Sequence, residues 1–442
     1  MPPQHKRLAS SPKPCAHPSI EGVTVSRASG SLPAMTSTVL VVGGGPGGAS
    51  AAYWLARNGV DVHLVERKRY PREKACGDGL TPRAIKQLLD MGFDFEGLGL
   101  HRVEGLRAYA GDLKIELAWP EHSEYPNWGA TMRRADLDGT VAGLAAAQGA
   151  TIEQGTTATP ILEHGRITGV ALAGPEGERI EHPDFVVIAD GSNSRFGRGV
   201  GAERRKDFPY GLAVRGYWQS PNSDDRFIES QLDIRDSQGR AMPGYGWVFP
   251  LGDGEINVGG GLVSTFKGWK DVNTSRMLEA YVASLPGHWE ITDDTPHTRP
   301  IGGKLPMSLS VGPKVGANWV LVGDASGAVN PFNGEGIDYA YETGRMAARF
   351  LADATAGDTT ALGGYAEELE AVYGDYHRVA RVFVKVIGNP TIMKSLTTVG
   401  LRSKTLMEWT LKVMANLLDP DEAKMSEHIY SAIERTVNVG SS

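Results

Sequence analysis

An apolar strand that runs straight into a glycine-rich turn sets the frame for the chain. Val39–Val42 leads into Gly43-Gly44-Gly45-Pro46-Gly47-Gly48, followed by a small-residue stretch (Ala49–Asn58) and a second apolar run, Val60–Glu66. That order is a β-turn-α-β unit of a doubly wound α/β sheet. The spacing Gly43-x-Gly45-x-x-Gly48 gives each glycine a separate task. Gly43 permits the tight turn, Gly45 lets the backbone approach a pyrophosphate, and Gly48 lets helix and strand pack closely. Pro46 and Gly47 complete the turn, and the helix N-terminus offers its unpaired N–H groups to the diphosphate. Glu66, 23 residues after Gly43, ends the second strand, where it can accept hydrogen bonds from ribose hydroxyls; Arg67 follows it.

Composition narrows the classes. The 442 residues carry a net charge of −7, which argues against a nucleic-acid binder acting through overall charge. Glycine is the outlier: 56 residues, about 13% against a usual share of about 7%, and neither periodic nor low in complexity. Such an excess points to tight backbone positions around a ligand. Cys15 and Cys76 are the two cysteines, too few for a disulfide scaffold or a Cys-based zinc site, and the expected compartment is reducing and cytoplasmic. His101, His122 and His377 lack metal-ligand spacing, so no metal is expected. No apolar run reaches the ~18 residues of a membrane span. Residues 1–36 are Pro- and Ser-rich and read as a disordered extension, with Met35 as an alternative start of translation.

Strand and helix signals divide the remainder. Residues 37–96, 131–204 and 313–356 read as a discontinuous nucleotide-binding domain, with further strands at Phe185–Ala189 and Trp319–Val322. Residues 97–130 and 205–312 read as an inserted antiparallel-sheet domain for substrate, carrying strands at Gly211–Gln219 and Glu255–Val263. Residues 357–442 read as helical.

Two later motifs resemble flavin proteins rather than nicotinamide enzymes. Ile188-Ala189-Asp190-Gly191-Ser192 has the strand-then-Asp-Gly form found near the cofactor of flavin hydroxylases. Leu321-Val322-Gly323-Asp324-Ala325 precedes Asn333-Gly334-Glu335-Gly336-Ile337-Asp338. There Asp324 can bond a ribityl hydroxyl, and the Gly334–Gly336 turn feeds a helix, starting near Ile337, whose N-terminus stabilises negative charge on a flavin pyrimidine. Arg134 matches another cofactor-contact position, with Arg133 beside it. Together with Lys74-Ala75-Cys76-Gly77-Asp78-Gly79-Leu80-Thr81-Pro82-Arg83 and Tyr245-Gly246-Trp247-Val248-Phe249-Pro250, these motifs resemble the geranylgeranyl reductase family of FAD-dependent oxidoreductases, and within it the actinobacterial menaquinone reductases. The resemblance spans roughly residues 37 to 420. It implies a p-hydroxybenzoate hydroxylase-like FAD-binding Rossmann fold and reduction of a polyprenyl double bond, by hydride from flavin N5 plus a proton. It also implies that the Cys76–Gly79 turn, with Gly77 and Gly79, lies at the flavin.

The residues make their own case for that chemistry. Tyr245, Trp247 and Phe249 alternate at strand spacing and so share one face, an aromatic wall for a flat apolar chain. Pro250 then leads to Gly259-x-Gly261, read as a close-approach turn at the substrate. Cys76 is a candidate proton donor and Asp78 a second. A flavin-dependent aromatic monooxygenase or halogenase, or a geranylgeranyl-lipid reductase, is the competing reading, although halogenases carry W-x-W-x-I-P where this chain has Tyr245, Trp247 and Phe249-Pro250. Electrons come from NAD(P)H or a separate reductase. Between Asp375 and Leu418 seven basic residues (Arg378, Arg381, Lys385, Lys394, Arg402, Lys404, Lys412) face two acids, Asp375 and Glu408. Interleaved with Val382, Phe383, Val386, Leu406, Met407, Trp409, Leu411 and Met414, they suggest peripheral contact with the inner face of the cell membrane.

Overall fold

The computed structural model describes residues 38–419, except 237, 267 and 359 and the side chains of 390 and 394. The extension expected over 1–36 and the end of the C-terminal region therefore lie outside the described residues. Strand β1 (Thr38–Val42) is followed by α1 (Pro46–Arg57) and β2 (Asp61–Glu66). With β5 (Thr151–Gln154), β6 (Phe185–Ile188) and β12 (Trp319–Leu321), they form a parallel sheet ordered β12-β6-β1-β2-β5. The continuous apolar run of β1 follows from burial on both faces. Val39 and Val41 belong to the core shared with α1, with α3 (Arg134–Ala147) and with α4 (Ile337–Thr355). Leu40 and Val42 pack instead on Ile167, Val170 and Leu172, from a three-stranded antiparallel meander over residues 157–181.

A second, seven-stranded sheet stands beside this unit. It comprises β3 (Gly105–Ala110), β4 (Leu113–Ala118), β7 (Tyr210–Gln219), β8 (Phe227–Gln231), β9 (Gly244–Pro250), β10 (Glu255–Val263) and β11 (Ile301–Pro306), in the order β11-β7-β10-β9-β8-β3-β4. Its pairs are antiparallel except β8 with β3, where Phe227 pairs in parallel with Gly105 and Gln231 with Tyr109. The sheet is therefore mixed, not purely antiparallel as expected. The cause is connectivity: a hairpin turn enforces opposite directions only on consecutive strands, and β3 reaches β8 from more than a hundred residues away.

One site expectation fails here. Gly259 and Gly261 do not form a turn; both lie inside β10, paired with Trp247 and Tyr245 of β9. A Cβ on Gly259 would stand 2.1 Å from the Trp247 ring. Glycine at that position makes room for the indole, and the chain reverses earlier, around Gly252 and Gly254.

Helices α5 (Ala361–Ile387), α6 (Pro390–Gly400) and α7 (Lys404–Met414) close the described chain. Not all of the apolar residues expected to face a membrane point outward. Met407 and Leu411 are buried under β3 and β4, and Trp409, Phe383 and Met414 pack half-buried around Phe332 and Tyr376. Val382, Val386 and Leu406 are exposed, and so are Ile392, Leu396 and Val399 on α6. No helix among the described residues is long and apolar enough to cross a membrane.

Candidate active site

The dinucleotide end is built around the start of α1. Gly43 has φ +105°, and a Cβ on it would meet the Ala189 carbonyl at 2.4 Å, so β1 turns into α1 hard against the end of β6. Helix α1 is capped by Gly45 and receives no side-chain hydrogen bond there, which leaves its first N–H groups available to an anion. The atoms nearest a Cβ on Gly45 are guanidinium nitrogens of Arg72, at 3.4 Å, and Arg134, at 3.9 Å. Both arginines are anchored by Asp138, which accepts from Arg134 at 2.8 and 2.9 Å and pairs with Arg72 at 2.9 Å. A glycine floor, an uncapped helix start and two held guanidiniums fit a diphosphate. Glu66 accepts from the Gly44 and Lys68 N–H groups, each at 2.9 Å, and so fixes the loops on either side of the end of β2. Arg67 is exposed just beyond it.

The other motifs converge further along the sheet. Asp324 pairs with Lys74 at 3.0 Å, and Lys74 Nζ also lies 3.8 Å from a Cβ position on Gly191. Three motif loops therefore meet at one cation. Asp190 itself turns away into its own loop, accepting from the Ser194 hydroxyl and from the Phe196 N–H at 2.8 Å. Gly334 has φ +78°, and Gly336 caps α4 without a side-chain bond, so the helix beginning at Ile337 presents free N–H groups. The Tyr341 hydroxyl, in the second turn of α4, is buried without a hydrogen-bond partner, and it feels the charges of Arg134 and Asp138 and the Cys76 thiol. An unspent polar atom in this place also fits a bound group.

Facing these loops is the aromatic stripe of β9. Tyr245 and Trp247 have ring centroids 6.0 Å apart, Trp247 and Phe249 6.2 Å, and the Tyr245 hydroxyl donates to the Asn333 carbonyl at 2.6 Å. Phe249 lies against the Cys76–Gly79 turn so closely that a Cβ on Gly77 or on Gly79 would stand 2.9 Å from its ring. Only glycines let this ring reach the turn. Pro250 accepts the Thr131 hydroxyl through its carbonyl, tying the end of the stripe to the nucleotide-binding part of the chain.

Asp78 is fully buried at φ +64° and holds the turn. Its carboxylate accepts from the Arg134 N–H at 3.1 Å, the Tyr217 hydroxyl at 2.7 Å and the Asn257 amide at 2.8 Å. The orientation of Asn257 is forced: Trp247 Nε1 can only donate, so it takes the Asn257 carbonyl oxygen at 2.9 Å and turns the NH2 toward Asp78 and the Cys76 carbonyl. Burial raises the pKa of Asp78, opposed by the Tyr217 and Asn257 bonds. Burial likewise pushes the Cys76 thiol up, against the pull of Arg134.

Sequence reasoning missed Arg72, Lys74, Tyr217 and Asn257. The two cations lie in a basic run, residues 67–74, between the acid that ends β2 and the cysteine turn, and that run was the available signal for a phosphate-facing loop. Tyr217 and Asn257 gave none, because each acts across a sheet on a residue more than a hundred positions away.

A glycine cradle with two held guanidiniums, and an aromatic face against the cysteine turn, fit an FAD-dependent oxidoreductase of the p-hydroxybenzoate hydroxylase fold, and known proteins agree. The FAD binding domain family matches residues 36–213. The menaquinone reductase of Mycolicibacterium smegmatis is 36% identical over 394 residues, covering 89% of this chain and 94% of that protein. The digeranylgeranylglycerophospholipid reductase of Methanocella arvoryzae is 30% identical over 366 residues, covering 79% and 88%. The chain belongs to the geranylgeranyl reductase family, on its menaquinone reductase side. In structure it resembles a geranylgeranyl bacteriochlorophyll reductase-like protein from Thermoplasma acidophilum, with TM-score 0.72 at 22% identity over 90% of this chain and 99% of that one. A flavin-dependent brominase shares the fold, with TM-score 0.68 at 18% identity over 90% and 98%.

Proposed function

We propose that the protein reduces an isoprene double bond of a polyprenyl chain, foremost the β-isoprene unit of menaquinone. The supporting observation is the wall of Tyr245, Trp247 and Phe249, which ends against the Cys76–Gly79 turn. A prenyl chain lying along these rings exchanges water for apolar contact and brings one alkene to the turn. Bound FAD, once reduced by NAD(P)H or a separate reductase, supplies the hydride. Cys76 holds a proton on Sγ at neutral pH, because burial keeps the thiol neutral, and it delivers that proton to the second alkene carbon. Arg134, close enough to lower the thiol pKa against burial, steadies the thiolate left behind. Asp78 is a positioning residue: its carboxyl oxygens are taken up by the Arg134 N–H, the Tyr217 hydroxyl and the Asn257 amide, which hold the turn. The test is anaerobic turnover of reduced holoenzyme with menaquinone. Reduction yields a product heavier by two hydrogen atoms without oxygen; a product formed only with oxygen and carrying its atom makes the protein a monooxygenase.

The substrate resides in a bilayer, and the C-terminal helices offer a surface for meeting it. Ile392, Leu396 and Val399 follow a spacing of four and three residues, one face of α6, and Val399 is 64% exposed. Val382 and Val386 repeat the pattern on α5, with Lys385 beside them and Arg402 and Lys404 further on, all exposed. An exposed apolar face edged by cations suits an anionic membrane surface. Leu396→Glu/Val399→Glu should weaken co-sedimentation with anionic liposomes by about tenfold or more, since each buried aliphatic side chain contributes about 1.5–3 kcal/mol. Unchanged sedimentation removes α6 from the membrane contact.

A further inference from the structure

Behind the flavin-facing segment lies a cleft of about 250 Å³, between α5, the loop from Ser308 to Lys314 and the turn around Arg205–Phe208. Four cationic side chains line it, Arg205, Lys314, Arg378 and Arg381, against one carboxylate, Glu370. Arg378 is engaged by Glu370 and Asp375, and Arg205 by Asp207. Arg381 has no ion pair among the described residues: its guanidinium lies 4.4 Å from the centre of the Phe208 ring and donates to the Ser308 hydroxyl at 2.9 Å. Lys314 likewise meets only neutral acceptors, the carbonyls of Leu309 at 2.6 Å, of Ser326 at 2.8 Å and of Val311.

A buried side chain with unspent hydrogen-bonding capacity completes the lining. His377 is 1% exposed, and neither ring nitrogen has a partner. A neutral imidazole always carries one N–H, so a donor stands unused in a place where leaving it so is costly. Burial and the charges of Arg381 and Lys314 hold this ring neutral, with its pKa lowered to about 3, and burial lowers that of Lys314 to about 7. Burial is the main cause of both shifts; the neighbouring cations add to it at His377, whereas Glu370 opposes it at Lys314.

We propose that this cleft binds a phosphoryl group. Arg381 supplies a planar fork and His377 a neutral donor, a set matched to a tetrahedral oxyanion, while Lys314, whose N–H groups already go to three carbonyls, adds charge once the anion favours its protonated form. The site is separate from the diphosphate cradle at Gly45, and it backs directly on the segment that carries the flavin loops. Ser308 N–H donates to Val329 at 3.0 Å, Leu309 N–H to Gly327 at 2.8 Å, and Lys314 to Ser326, all just beyond Asp324. The phosphoryl group comes either from a soluble ester or from a phospholipid head, and the exposed Val382 and Val386 lie on the same helix as Arg381.

The test is titration calorimetry on full-length holoprotein, whose Gly45 cradle FAD already fills, at constant ionic strength. Inorganic pyrophosphate and water-soluble dihexanoyl phosphatidic acid are the probes, with chloride as the background anion. Saturable binding of either probe, weakened about tenfold or more in Arg381→Gln, supports the site. Pyrophosphate alone identifies a soluble ligand, and tighter binding of the lipid identifies a head group. If Arg381→Gln does not fold, Arg381→Lys keeps the charge, loses the fork and is expected to weaken binding less. Absence of saturable binding by wild type, or equal affinity in the folded variants, overturns the proposal.

Discussion

Gly45→Val should yield a folded, colourless protein. A Cβ at this position meets no backbone; its nearest neighbours are the side-chain ends of Arg72 and Arg134, at 3.4 and 3.9 Å. The chain can therefore accommodate valine, and only the space for a diphosphate is filled. The same change at Gly48 is a different experiment, because a Cβ there would stand 1.8 Å from the Gly43 carbonyl and the turn itself must break. Losing contacts to two arginines and to the N-terminus of α1 forfeits several charge-assisted hydrogen bonds of roughly 1.5–3 kcal/mol each, enough to lower FAD affinity by about a thousandfold or more. Flavin absorbance of the purified variant, with its circular dichroism and its melting temperature with and without added FAD, checks this. A yellow variant that FAD still stabilises places the diphosphate elsewhere.

What was legible in the sequence was what neighbours in the chain decide. The β1–α1–β2 unit could be read because Gly43, Gly45 and Gly48 act within six residues of one another and Glu66 closes the next strand. The aromatic stripe could be read because strand alternation is local. Asp78 shows where that reading stops. It looked like an acid in a catalytic turn; the three groups that turn it into an anchor come from positions 134, 217 and 257, and no local pattern announces them. Gly259 failed for a similar reason, since the close approach it allows is to the Trp247 ring on the neighbouring strand, not to a ligand. The C-terminal helices failed in part because apolar spacing marks a face without saying what covers it. Met407 and Leu411 are covered by the hairpin β3–β4, whereas Leu396 and Val399 are left open.

The pair Cys76→Ala and Asp78→Asn separates a proton donor from a positioning residue within one turn. Cys76→Ala should bind FAD normally, because it removes one weak contact of the turn, the Asp78 N–H to Cys76 Sγ at 3.4 Å, while the Asn257 amide still donates to the residue-76 carbonyl and Asp78 still holds Arg134, Tyr217 and Asn257. What is lost is a proton held beside the aromatic wall. General acid catalysis contributes about 10²–10⁴-fold, so turnover should fall by that order while flavin content and melting temperature stay near those of wild type. Cys76→Ser restores a donor with a higher pKa and should recover part of the rate. Asp78→Asn should behave in the opposite sense. An amide NH2 placed among the Arg134 N–H, the Asn257 NH2 and the Tyr217 hydroxyl meets donors where the carboxylate met partners, and each unsatisfied buried group costs about 1–3 kcal/mol. Melting temperature and FAD retention should drop first, with turnover per bound flavin falling less than in Cys76→Ala. Rates measured per flavin, beside flavin occupancy and thermal melting, read the two effects separately. Wild-type turnover in Cys76→Ala would remove the thiol from the proton-transfer step, and a fully loaded, stable Asp78→Asn would remove the carboxylate from its anchoring role.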